Sequence, residues 1–183
     1  MNHGILLYGP PASGKDTITA ELARIHSRYV LFARLKIGSG RTQGYRMGTA
    51  KELKELEQRD QILYCNERYG NTYVVDQPGL DEATRNGRVP IVHLGQIAGV
   101  QAVASGFRAR WWRVLLWCPR EVTEQRSVAR GDADNAARLK AWEATRLDVD
   151  RHADAEWELT LRTDKVSPRE AALRIQGLLT AAE

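Results

Sequence analysis

The spacing of apolar residues changes period repeatedly along this chain, and each change marks an element boundary. Residues 4–8 (Gly-Ile-Leu-Leu-Tyr) form a short continuous apolar run, as expected of a strand buried on both faces. From about Lys15 to Ser27 the apolar positions Ile18, Leu22, Ala23 and Ile25 recur at helical spacing. Residues 29–33 (Tyr-Val-Leu-Phe-Ala) are β-branched and aromatic, which predicts a second strand. Periodicity then fades over residues 34–46, which read as an irregular loop. A helix follows over 49–59, with Thr49 as cap and Leu53 and Leu56 facing inward among charged residues. Residues 66–72 carry turn formers, and 73–75 make a short strand. Asp76 ends that strand. It imitates a Mg²⁺-binding acid, but the reading preferred here is a cap for a helix through Leu80, Ala83 and Thr84. Further strands are expected over 89–94, 111–117 and 157–161. Helices are expected over 96–105, after Pro119, around Arg138 to Leu147, and from about Pro168.

Strands alternating with helices predict an α/β domain with a mainly parallel sheet and right-handed crossovers. At 183 residues, 1–183 reads as a single domain. A hydrophobic share of 43% and a charged share of 27% are those of a globular protein. No apolar run approaches the roughly 20 residues of a membrane span, and no signal peptide is expected. Cys65 and Cys118 lack neighbours at ligand spacing, so free thiols in a reducing cytoplasm are expected. His3, His26, His93 and His152 are too scattered for a zinc site. The net charge of +4 admits nucleic acid as a partner, but the arginines fall in small groups. A small anionic substrate accounts for them more economically. Trp111, Trp112 and Trp117 read as packing residues and not as base-stacking ones.

The clearest chemistry lies between the first strand and the first helix. Gly9 and Gly14 bracket four residues, Pro10, Pro11, Ala12 and Ser13, and Lys15 follows at once. This is the G-x-x-x-x-G-K part of a phosphate-binding loop. Glycines let backbone N–H groups converge on an anion, and the following helix adds the positive end of its dipole. A Ser or Thr hydroxyl normally follows the lysine and ligates Mg²⁺. Here Asp16 takes that place and Thr17 comes next, so either is a candidate metal ligand. The segment 34–46 holds Arg34, Lys36, Arg41, Tyr45 and Arg46, a composition suited to gripping a phosphate.

The order of these pieces resembles the guanylate kinase family of P-loop nucleoside monophosphate kinases. The phosphate loop is followed by the Arg/Tyr segment, Tyr69-Gly70, Arg126-x-x-x-Arg130-Gly131 and Arg138-Leu139. The likeness is distant and covers nearly the whole chain. It implies a three-layer α/β/α P-loop NTPase fold, with an acceptor-binding insertion at about 34–75 and a short lid at about 126–138. It implies ATP and Mg²⁺, with residues 9–17 around the triphosphate and Thr163 near the adenine. Lys15, Arg126, Arg130 and Arg138 become the catalytic cations. Arg34, Arg41 (or Lys36), Tyr45 and Tyr69 become acceptor-phosphate ligands, and Asp60 the reader of the base. His93 and Gly95 stand where the family carries two acids, and Gly-Lys-Asp also resembles ribose 1,5-bisphosphate phosphokinase. The implied activity is phosphoryl transfer from ATP to a phosphorylated small acceptor, most simply GMP, with no nucleic-acid or membrane partner. Three other readings remain. One is a sugar-phosphate kinase. Another is a kinase for a hydroxyl acceptor with Asp76 or His93 as base. The third is an inactive guanylate-kinase-like binding module.

Overall fold

The computed structural model describes residues 1–68, 70–131 and 134–181. Among them, strands β1 (His3–Tyr8), β2 (Tyr29–Leu31), β7 (Val89–Leu94), β8 (Arg110–Trp117) and β9 (Leu159–Arg162) form one sheet. Its order is β2-β7-β1-β8-β9, and every pairing is parallel. The phosphate loop therefore leaves the central strand.

Side-chain alternation along β1 builds the core on both faces of this sheet. Ile5 and Leu7 pack with Ile18 and Leu22 of helix α1 (Lys15–Ile25), and with Ala171 and Ile175 of α7 (Pro168–Thr180). Leu6 and Tyr8 pack instead with Leu80 of α3 (Gln77–Thr84), and with Ile97, Val100 and Val103 of α4 (Ile97–Gly106). The result is a three-layer α/β/α fold. Trp111 and Trp112 are buried on opposite faces, in the packing role their setting suggested.

Residues 34–46 correct the expectation of an irregular loop. They contain β3 (Arg34–Ile37) and β4 (Tyr45–Met47), which join β5 (Ile62–Arg68) and β6 (Asn71–Asp76) in a second sheet ordered β4-β3-β6-β5. Residues 66–72 are likewise mostly strand, with the turn at Gly70 (φ 69°). Local sequence hides these strands because their partners are distant: Lys36 pairs with Tyr73, and Leu35 with Val74. Lys36 is only 2% exposed, and its ammonium donates to the carbonyls of Ser39 (2.6 Å) and Arg41 (2.8 Å). A buried cation thus closes the loop between β3 and β4 instead of breaking the strand.

Helix α2 (Ala50–Gln58) begins as expected, with a capping box between Thr49 and Glu52. Asp76 is buried and caps α3, accepting from the Gly79 N–H at 2.8 Å. It is also ion-paired with Arg46. Both uses leave it no role as a metal ligand. Arg46 also donates to the Ala33 carbonyl (2.8 Å) and lies over the Phe32 ring, 5.5 Å from its centre.

Candidate functional site

The loop from Gly9 to Gly14 is held from outside by its carbonyls. Lys15 Nζ donates to the carbonyls of Gly9 (2.7 Å) and Pro10 (2.9 Å) and to Ser13 Oγ (3.2 Å). The Thr123 hydroxyl donates to the Pro11 carbonyl at 3.1 Å, and Arg126 to the Ala12 carbonyl at 2.9 Å. Four successive carbonyls are thereby engaged by side-chain donors. Pro10 and Pro11 have no N–H, so the loop's amide donors begin at Ala12 and run into the first turn of α1. Gly14, at φ 92°, makes the left-handed step that starts the helix. A side chain at Gly9 has no room, since a Cβ there would lie 2.1 Å from the Leu116 carbonyl oxygen.

Lys15 has its pKa pushed down to about 8, chiefly by burial and against the opposing pull of Asp16. It remains mostly protonated at neutral pH and supplies a poorly solvated charge.

The loop opens on a cleft of about 1230 Å³ at the carboxyl ends of the parallel strands, where ligands bind in open α/β sheets. Of the residues expected at the donor side, Gly9, Pro11, Ala12, Ser13, Gly14, Lys15, Asp16 and Thr17 line it, and Pro10 does not. Arg126, in α5 (Arg120–Ala129), Arg130, just after α5, and Arg138, in α6 (Asn135–Arg151), line it too. Arg126 does more than face the cleft. Its guanidinium also donates to Thr163, to the carbonyl at 2.6 Å and the hydroxyl at 3.2 Å. It thus bridges the phosphate loop and the loop after β9. Residues 132 and 133 of the expected lid lie outside the described residues.

On the opposite side, Arg34, Arg41 and Tyr45 line the cleft together. The Tyr45 and Tyr73 rings lie 5.4 Å apart, and the Arg34 guanidinium sits 5.9 and 5.1 Å from their centres. Between Lys36 and Arg41, the geometry assigns Arg41 to the cleft and Lys36 to the loop behind it. Tyr69 lies outside the described residues. Asp60 does not line the cleft. It occupies the left-handed turn after α2 (φ 53°), ahead of β5, so its carboxylate does not join this group.

Sequence reasoning passed over Arg68, Asn66 and Asp148 in the cleft, and offered His93 only as a candidate base. Arg68, at the end of β5, approaches Gly95 closely enough that a Cβ there would lie 3.4 Å from its Nη1. Asn66, on the same strand, lines the cleft with a buried Oδ1 that has no hydrogen-bond partner among the described residues. His93, at the end of β7, places Nε2 2.7 Å from Thr19 Oγ1 and Nδ1 3.5 Å from Asp16 Oδ1. Its pKa is pushed down to about 3, first by burial and then by Lys15, so the imidazole is neutral. Asp148 of α6 accepts from the Tyr8 hydroxyl (2.9 Å) and the Ile97 N–H (2.8 Å), tying α6 to the sheet behind the cleft. Burial, and then this carboxylate, raises the Tyr8 pKa. Only the turn-like composition of 66–72 and the terminal position of His93 on its strand were readable beforehand.

Among the described residues, no group of three or more His, Cys, Asp or Glu could hold a metal. Asp16 and Thr17 are nonetheless exposed at the start of α1, where an ion could be completed by phosphate oxygens and water, the usual habit of Mg²⁺. Also among the described residues, no helix is long and apolar enough to cross a membrane.

This architecture is the P-loop kinase fold. A guanylate kinase from Anaplasma phagocytophilum shares it at a TM-score of 0.69 and 19% sequence identity, over 99% of this chain and 86% of that one. A shikimate kinase from Acinetobacter baumannii, solved in complex with shikimate, shares it at a TM-score of 0.54 and 17% identity, over 100% and 96% of the two chains. No protein-family model matches the chain, and no curated protein matches it in sequence.

Proposed function

We propose that this protein transfers the terminal phosphoryl group of ATP to a small acceptor that already bears a phosphate, with a nucleoside monophosphate such as GMP as the first candidate. The observation that carries this reading is the set of four engaged carbonyls in the phosphate loop. With those oxygens turned to side chains and the Ser13 amide donating to the Pro10 carbonyl at 3.3 Å, the amides of Ala12, Gly14, Lys15 and Asp16 are left to face an anion. A second cationic group, Arg34 and Arg41, stands across the cleft for the acceptor's phosphate.

The chemistry asks for alignment and charge neutralisation. Lys15 exchanges the Gly9 and Pro10 carbonyls for the phosphates, while Thr123 and Arg126 keep the Pro11 and Ala12 carbonyls turned away from the anion. Arg130 and Arg138 add charge around the transferring group, and Arg126 keeps the loop and the adenine side in register. Mg²⁺, held by Asp16 or Thr17, supplies further neutralisation of the phosphates. An acceptor phosphate is already ionised near neutral pH, so no base is required. Closure of the segment 126–138 excludes water.

A second reading is favoured by Asp16 standing beside the neutral His93 at the edge of the loop: an acceptor that presents a hydroxyl, with the Asp16 carboxylate taking its proton. A sugar phosphate that accepts through its own phosphate belongs to the first reading. The inactive-module reading is less economical, because a scaffold has no need of Lys15, Arg130 and Arg138 around one cleft.

The test is ADP release from ATP–Mg²⁺ across GMP, dGMP, AMP, CMP, UMP and ribose 1,5-bisphosphate, with Lys15→Ala as control. Turnover with a nucleotide that falls at least about 100-fold in Lys15→Ala supports the first reading. Turnover with ribose 1,5-bisphosphate alone makes the phosphate-bearing acceptor a sugar phosphate, and silence on the whole panel with ATP–Mg²⁺ still bound supports the hydroxyl acceptor. Wild-type turnover in Lys15→Ala overturns the assignment of the loop.

A further inference from the structure

Two donors from different elements converge beside the phosphate loop. Asp16 stands in the first turn of α1, its side chain 63% exposed, and His93 faces it from the end of β7. We propose that Asp16 and His93 together hold a divalent transition-metal ion, the other positions being filled by phosphate oxygens and water. The inference rests on the reading of the cleft as a nucleotide site.

The spacing suits one shared ion. Two donors each bonded at about 2.1 Å are roughly 3.0 Å apart at a right angle and roughly 3.4 Å apart at a tetrahedral one. Nδ1 of His93 and Oδ1 of Asp16 are 3.5 Å apart. The rest of the ring is already held, because Nε2 meets the buried Thr19 hydroxyl at 2.7 Å. A hydroxyl both donates and accepts, so the tautomer follows whatever meets Nδ1. Without an ion, Nδ1–H points at Asp16 and Nε2 accepts from Thr19. With an ion, Nε2–H donates to Thr19 and the Nδ1 lone pair becomes a ligand. A ligating histidine ordinarily has such a partner on its other nitrogen.

The pairing also sets a preference. Mg²⁺ takes oxygen donors and gives up water reluctantly, whereas imidazole suits the later first-row ions. A carboxylate with an imidazole therefore favours an ion such as Co²⁺ over Mg²⁺ by more than an all-oxygen site does.

Co²⁺ is the probe. It is titrated into the whole protein with ADP and followed by visible absorption and by proton NMR. The expected result is a paramagnetically shifted, exchangeable histidine N–H and Co²⁺ affinity at least about tenfold above that for Mg²⁺. His93→Gln should abolish the shifted proton and weaken Co²⁺ at least about tenfold, while Mg²⁺ affinity changes less than about twofold. ADP binding in EDTA, equal in the two proteins, checks that the variant is folded. A wild-type complex with no shifted histidine proton, or a variant binding both ions as wild type does, overturns the proposal. If ADP fails to bind at all, the nucleotide reading falls. Co²⁺ titrated alone then decides the pair, with the shifted proton supporting it and its absence overturning it.

Discussion

Arg126 grips Thr163 at two points, the backbone carbonyl at 2.6 Å and the hydroxyl at 3.2 Å. The same guanidinium reaches the Ala12 carbonyl, so one side chain fixes the spacing between the phosphate loop and the β9–α7 connection. Lysine keeps the charge but not the planar fork. In Arg126→Lys, stability should fall by roughly 1–3 kcal/mol and ATP affinity by about tenfold. Chemical denaturation and calorimetry measure the two. Wild-type values for both would show that the fork is dispensable.

Lys36 and Arg41 should act as one unit. The Lys36 ammonium is spent on the carbonyls of Ser39 and Arg41, and so presents Arg41 to the cleft. Lys36→Met should therefore lower acceptor affinity as much as Arg41→Ala does, about tenfold or more, with ATP affinity kept in both. Calorimetry with each ligand separates these outcomes.

The orphaned Asn66 Oδ1 is an acceptor waiting for a donor. A ligand N–H or O–H that donates to this oxygen makes Asn66 a specificity contact. Asn66→Ala should cost about tenfold in KM for the true acceptor and leave ATP binding unchanged. Steady-state kinetics with the acceptor varied checks it.

His93 gives the fold a sensitivity to acid. Its folded pKa of about 3 lies below the ordinary 6.5 of the unfolded chain. Between those values the unfolded state binds the extra proton, so stability rises with pH. The contribution is complete above about pH 6.5 and is lost as pH falls towards 3, at no more than about 1.4 kcal/mol per pH unit for one proton. In metal-free protein, His93→Gln should flatten this slope in denaturation curves from pH 7 to 4. The imidazole C2–H resonance should not titrate above pH 5.

The main sheet was legible because β1, β2, β7 and β8 are largely local apolar runs and β9 a short apolar–polar alternation, and β1 alone announces two buried faces. The phosphate loop was legible for the same reason, since its glycines, lysine and helix start lie within ten residues. The second sheet was not, because its logic is non-local. Lys36 looks like a surface cation until Tyr73 and the folded-back loop are in place beside it. Arg68 and Gly95 are far apart in sequence and adjacent in space, so Arg68 reads as a turn residue when counted along the chain. The resemblance puts Asp60 at the base, but β5 intervenes and carries the chain from an exposed turn to the cleft.

The four strands of the second sheet join the rest of the protein by two stretches of backbone, one entering at Ala33 and one leaving at Asp76. Arg46 holds both, through the Ala33 carbonyl and the Asp76 carboxylate. This rivet shares the tilt of the acceptor side with a second seam, where Leu63 and Tyr64 of β5 pack on α4 and its core. A ligand that draws the two sides together must work against both. Part of the jaw's stiffness is therefore written in a residue that does not line the cleft.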